Sequence, residues 1–72
     1  MDIKKDLVNR FTYHAPKPEL DQAGRYERMR AMALTFSLHI AENCPESRER
    51  SLAITKLEEA VMWANAAIAR HE

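Results

Sequence analysis

Between residues 9 and 20 the chain reads NRFTYHAPKPEL, and its capacity for ligand chemistry is concentrated there and just beyond. Phe11 and Tyr13 offer flat aromatic faces, and Arg10, His14 and Lys17 offer donors and charge. Arg25, Arg28 and Arg30 follow in the first turns of the next periodic segment, with 25 and 28 on one helical face and 30 turned away. Aromatic rings stack on nucleobases for about 1–3 kcal/mol per base. Guanidinium forks match phosphate oxygens. Pro16 and Pro18 hold the presenting segment extended, which lowers the ordering cost of binding. This set suits a small phosphate-bearing aromatic ligand. A plainer reading stands beside it, in which Phe11 packs the segment onto the helices, as large aromatics usually do, and Arg28 and Arg30 are ordinary solvated charges.

No catalytic pattern accompanies these residues. The chain has no glycine-rich phosphate loop, no HExxH and no ordered Ser, His and Asp set. His39 and Glu42 stand three apart on a helix, a spacing that gives routine surface contacts. Glu58 and Glu59 face different directions, and a salt bridge to Lys56 is the ordinary outcome. Cys44 is the one cysteine, so no intrachain disulfide is possible. It is expected to be a buried structural residue beside Pro45, since free cysteines are usually buried. His14, His39 and His71 lack zinc-ligand spacing. The expectation is a binding protein, not an enzyme, with no cofactor and no metal.

Eleven basic and eleven acidic residues give a formal charge of zero. A protein that coats DNA or RNA carries a basic excess, so bulk nucleic-acid binding is not expected. No apolar run is long enough for a membrane span, and Met1-Asp2-Ile3-Lys4-Lys5-Asp6 does not read as a signal peptide. A lone free cysteine fits a reducing cytoplasm.

The elements that must position the candidate residues follow from the prolines. Pro16, Pro18 and Pro45 divide the chain, and Gly24 is its only glycine. Residues 2–8 are expected to form a short helix capped by Asp2, with Ile3, Leu7 and Val8 on one face. It is too short to stand alone. Residues 9–18 form an extended loop. A helix over 19–43 starts at Pro18, with Glu19 and Asp21 favoured in its first turn by the helix dipole. Gly24 inside it costs about 1 kcal/mol relative to Ala and reads as incidental. A last helix over 45–70 starts at Pro45, and Arg70 and His71 complement its C-terminal dipole. Two long helices joined by a tight turn make an antiparallel hairpin. The fold class is all-α, one domain over 1–72.

The apolar faces are too wide for a monomer. In the first long helix Tyr26, Met29, Ala33, Phe36, Ile40 and Ala41 form a stripe, with Met32, Leu34 and Leu38 outside it. In the second, Ala53, Leu57, Ala60, Val61, Ala64, Ala67 and Ile68 form a stripe, with Leu52, Met62 and Trp63 left over. A hairpin needs a stripe of only about 100° on each helix. A 72-residue chain also has little core of its own and no disulfide or metal to add. A homo-oligomer is therefore expected.

Two stretches carry a resemblance. One is Cys44-Pro45-Glu46-Ser47-Arg48-Glu49 with the run from Thr55 through Lys56-Leu57-Glu58-Glu59-Ala60 and Met62-Trp63-Ala64-Asn65 to Arg70; the other is Phe11-Thr12-Tyr13-His14 followed by Pro16. Over about residues 9–72 the chain resembles a family of small phage proteins that act as sponges for cyclic oligonucleotides. They counter CBASS, a bacterial defence in which infection raises a cyclic-nucleotide messenger that activates a killing effector. The resemblance implies a compact homohexamer of helical hairpins working in the cytoplasm of the infected bacterial host. Cyclic dinucleotides such as 3′,3′-cGAMP would sit between interlocked protomers, cyclic trinucleotides would sit in a separate pocket near a symmetry axis, and both would be held intact.

Carried over position by position, the resemblance assigns base stacking to Tyr13. A basic residue early in the first long helix corresponds to Arg25, Arg28 or Arg30, with Arg28 favoured by spacing. Arg10, His14, Lys17, Arg25 and Arg28 complete the expected dinucleotide set with Tyr13. Arg70, joined by Arg30, is expected in the trinucleotide pocket. The alternative is a non-enzymatic helical adaptor that binds a host or phage protein; an enzyme degrading the messenger lacks the positioned base or metals that phosphodiester cleavage needs.

Overall fold

A computed structural model describes residues 2–72. The described residues form three α-helices, α1 over Ile3–Phe11, α2 over Gln22–Asn43 and α3 over Arg48–His71, with a single 3-10 turn at Pro18–Leu20. The described residues contain no strand, and α2 and α3 pack against each other as a hairpin. No described helix is long and apolar enough to cross a membrane.

Each helix boundary has a local cause. Asp2 caps α1, its carboxylate accepting from the amides of Lys4 at 3.0 Å and Lys5 at 3.4 Å. The helix runs three residues past the expected end at 8. Arg10 pairs with Asp6 one turn earlier at 2.8 Å, and the Thr12 hydroxyl donates to the Val8 carbonyl just beyond the last turn. The extended segment is thus shorter than the expected 9–18.

The expected single helix over 19–43 is instead a 3-10 turn and then α2, separated by Asp21. Asp21 has φ of 51°, the one positive φ among the described residues. Aspartate tolerates this left-handed conformation better than most side chains. The turn is closed by the Asp21 amide donating to the Pro18 carbonyl at 3.0 Å. The bend lets Gln22 enter the interior, where it is the most buried side chain at 2% exposure. A Cβ at Gly24 would stand 2.5 Å from one carboxylate oxygen of Asp21, the exposed end of a side chain that can turn aside. The glycine leaves room for that carboxylate, which pairs with Arg28 at 3.0 Å.

The last helix begins at Arg48, not at Pro45. Ser47 is its cap, the hydroxyl accepting from the Arg50 amide at 3.1 Å. Pro45 belongs to the connection. Arg50 reaches back to the carbonyls of Ala41 at 3.1 Å and Cys44 at 3.4 Å, supplying a cation where α2 leaves unpaired acceptors. Cys44 lies on this exposed turn and is not buried as expected.

The hairpin interior is thin. Tyr26, Ala33, Ser37 and Ile40 of α2 and Ile54, Leu57, Val61 and Ala64 of α3 are half-buried, and among the described residues Ile68 is the one buried apolar side chain. The alanines at 53, 60 and 67, expected inside, are exposed, as are Met29, Phe36 and Ala41. Their stripe spans more of the helix circumference than one partner helix can cover. Phe11, expected to pack the loop down, is 85% exposed because α1 turns that face outward. The chain measures 44 × 29 × 16 Å with a radius of gyration of 15.5 Å. A compact chain of this length has a radius near 11 Å. The accessible surface is 5939 Å², where a folded monomer of this mass exposes about 4,600 Å².

Candidate functional site

The segment after α1 is fastened at both ends. The Asn9 side-chain Nδ2 donates to the Arg70 carbonyl at 3.1 Å, tying α1 to the last turn of α3. The His14 ring nitrogen Nε2 lies 2.9 Å from the Asn9 carbonyl, which folds the segment back along α1. Tyr13, between these anchors, is left 83% exposed.

These ties close one side of a groove of about 400 Å³, lined by Arg10 from α1, Tyr13 and His14 from the segment after it, Tyr26 and Arg30 from α2, and Asn65 and Arg70 from α3. That volume is in the range of small-molecule sites. Among the described residues Arg30 and Arg70 have no carboxylate partner. Arg10 is already paired with Asp6. The Tyr26 hydroxyl and the Asn65 Oδ1 are shut away from water with no hydrogen-bond partner. An unmade hydrogen bond at a buried polar atom costs about 1–3 kcal/mol. The groove thus combines an exposed ring with two guanidinium groups that have no carboxylate partner among the described residues.

The other basic residues lie elsewhere and are engaged. Arg25 makes a two-pronged contact with the Glu72 carboxylate, at 2.8 Å for each bond. The bond to Arg25 holds the Glu72 carboxyl below its ordinary range, and Glu72 raises Arg25 in turn. Lys17 donates to the Glu72 backbone carbonyl. Gln22 joins the two parts, accepting from the Lys17 amide at 2.9 Å and donating to Glu72 Oε1 at 3.0 Å. Arg28 is held by Asp21.

Within one chain the expected residues therefore fall into two groups. Tyr13, His14 and Arg10 share a groove with Arg30 and Arg70, the pair assigned to a different pocket. Lys17, Arg25 and Arg28 stand apart from that groove, bound to Glu72 and Asp21. Sequence reasoning missed Gln22, Tyr26 and Asn65. Tyr26 was read as part of an apolar stripe. Asn65 carries a usable signal, because it is a polar residue one turn from both Val61 and Ile68 on the inward face. Gln22 carries none, since its burial depends on the bend at Asp21.

A second, apolar groove of about 790 Å³ runs along the hairpin, where Met29, Met32 and Phe36 of α2 face Leu57, Val61 and Ala64 of α3. Such a surface marks an interaction face.

Fold and groove together define an all-helical hairpin with a basic, aromatic-lined groove and uncovered apolar flanks. The family model described as "Acb2/Tad1, hairpin domain" matches residues 3–69, and the chain belongs to that family, the anti-CBASS sponges that its sequence resembles. No curated protein and no solved structure matches the chain.

Proposed function

We propose that this protein sequesters cyclic di- and trinucleotide messengers without cleaving them, and so blocks CBASS in the cytoplasm of the infected bacterial host. The observation that carries the reading is the groove in which exposed Tyr13 stands with unpaired Arg30 and Arg70. Stacking takes the base and the guanidinium groups take the phosphate. Membership of the sponge family supports the choice of cyclic ligands over other nucleotides.

The split of the basic residues fits an assembly. The homohexamer that the family resemblance implies would place Lys17, Arg25 and Arg28 of one chain beside Tyr13 of another and so build dinucleotide sites between chains. The excess accessible surface supports self-association, because the exposed methionines and Phe36 are costly to leave in water at about 25 cal/mol per Å². Isothermal calorimetry with 3′,3′-cGAMP tests the reading. Saturable heat at micromolar protein is expected, with the ligand recovered intact after the complex is denatured. Absence of heat refutes capture, and recovery of a linear product refutes sequestration. The apolar groove also favours a second reading, a helical adaptor for a host or phage protein. That reading predicts a monomer in sedimentation that is indifferent to cyclic nucleotides and forms a stable complex with a protein partner.

A further inference from the structure

One carboxylate in this chain is held as a bound anion would be. Glu72 stands just past the last turn of α3, and its side chain receives both prongs of the Arg25 guanidinium at 2.8 Å and the Gln22 Nε2 at 3.0 Å. A guanidinium meets a phosphate through the same paired bonds. The Lys17 ammonium, which donates to the Glu72 backbone carbonyl, makes no side-chain ion pair among the described residues. The donors do not owe their places to Glu72. Gln22 is 2% exposed, and its Oε1 accepts from the Lys17 amide at 2.9 Å, so it stays aimed at the same point when the carboxylate is gone. Arg25 keeps a second contact, with the Leu20 carbonyl at 3.5 Å. Arg25, and then Gln22, hold the Glu72 carboxyl below its ordinary range, so the position favours a negative charge.

Glu72 itself is easily moved. It lies beyond the helical residues of α3, so swinging its side chain away unwinds no turn. The Arg25 and Glu72 side chains remain 36% and 29% exposed. An ion pair this open to water is weakly held, and an incoming anion reaches the guanidinium without opening the core. We propose that Glu72 is a built-in competitor for an anion site made by Lys17, Gln22 and Arg25: its carboxylate fills the site in the free chain, and the phosphate of an arriving ligand displaces it. That the ligand is a cyclic messenger rests on the proposed capture function; the exchange of Glu72 for an external phosphate does not.

Inorganic pyrophosphate is titrated into the full chain at constant ionic strength, with the Gln22 side-chain amide and the Arg25 Nε–H followed by nuclear magnetic resonance. Both signals should move saturably. Glu72→Gln, checked for helix content by circular dichroism, should bind the probe about fivefold tighter or more, because apparent affinity scales with the fraction of chains whose site is open. Glu46→Gln, on the connection between α2 and α3, makes the same change in net charge and should leave the affinity at the parent value. Signals that stay still in Glu72→Gln, equal affinity in that variant and the parent, or an equal gain in Glu46→Gln overturns the proposal. Calorimetry with 3′,3′-cGAMP separates this exchange from capture itself, and Glu72→Gln should bind that ligand more tightly too. A gain for pyrophosphate with no cGAMP heat in either protein refutes capture and leaves the competition standing. Equal cGAMP affinity in both proteins refutes competition between Glu72 and the messenger.

Discussion

Arg25 and Arg70 are the same residue type in opposite electrostatic surroundings. Arg25 is satisfied by Glu72, while Arg70 lines the groove around Tyr13 and makes no ion pair among the described residues. The Arg25 contact makes a pH prediction. Glu72 has a folded-state pKa below its unfolded value, chiefly through the bond to Arg25 and then the bond to Gln22. Its stabilising contribution is therefore complete above the ordinary Glu value of about 4.3 and is lost as pH falls through the depressed folded value. The melting temperature of Glu72→Gln should lie below that of the parent at neutral pH, and the gap should close below about pH 4. A gap that stays constant through acid would show that the carboxylate charge contributes nothing. At Tyr13 the prediction concerns binding alone, because the ring is exposed and its removal leaves no cavity. Tyr13→Ala should weaken 3′,3′-cGAMP by about 1–3 kcal/mol in calorimetry with an unchanged melting temperature. Undiminished affinity would remove Tyr13 from the site.

At the scale of elements, caps and turns decide where the helices lie, and with them which side chains meet. The turn between α2 and α3 is held at both helix ends: Ser47 accepts from the Arg50 amide, and the Arg50 side chain returns to the carbonyls closing α2. Ser47→Ala should lower unfolding free energy by about 1 kcal/mol in urea melts followed by circular dichroism, the usual cost of losing a cap. A loss below a few tenths would mean that Arg50 alone secures the turn. The bend at Asp21 has the larger functional effect. It sends Gln22 inward to bind Lys17 and Glu72, and thereby draws the end of α3 against the start of α2. Arg70 sits in that last turn, so the placement of the candidate groove depends on a bend at the far end of the neighbouring helix in sequence.

At the scale of the whole molecule, a plate 16 Å thick cannot cover its own apolar residues. Met32 is 72% exposed and Phe36 55% exposed, both on one wall of the hairpin groove. Phe36→Glu places a charge where a second copy is proposed to pack, and burying an unpaired charge costs several kcal/mol. The substitution should convert the assembly to smaller species in sedimentation velocity at micromolar concentration. An unchanged sedimentation coefficient would show that copies do not meet through this groove.

Much of the architecture was legible from local signals. The prolines, the Asp2 cap and the apolar periodicity are properties of neighbouring residues, and they were enough for an all-helical chain, a hairpin and a surplus of apolar surface. The quoted motifs were enough for the family. Local signals failed where a long-range contact overrode them. A left-handed Asp21 follows from no periodicity, and without it the burial of Gln22 and the room kept at Gly24 could not be foreseen. Breadth of the alanine stripe likewise concealed which edge faces inward, since rotation of α3 is set by the shape of α2. The basic residues show the same division. Their number and charge are written in the chain, but which are free is not, because Glu72 lies 47 positions from Arg25 and only folding brings them together. Sequence alone therefore determined the kind of protein and the chemistry available to it; tertiary structure decided which cations are spent internally and which stand open, because pairing depends on distances in space that spacing along a chain does not encode.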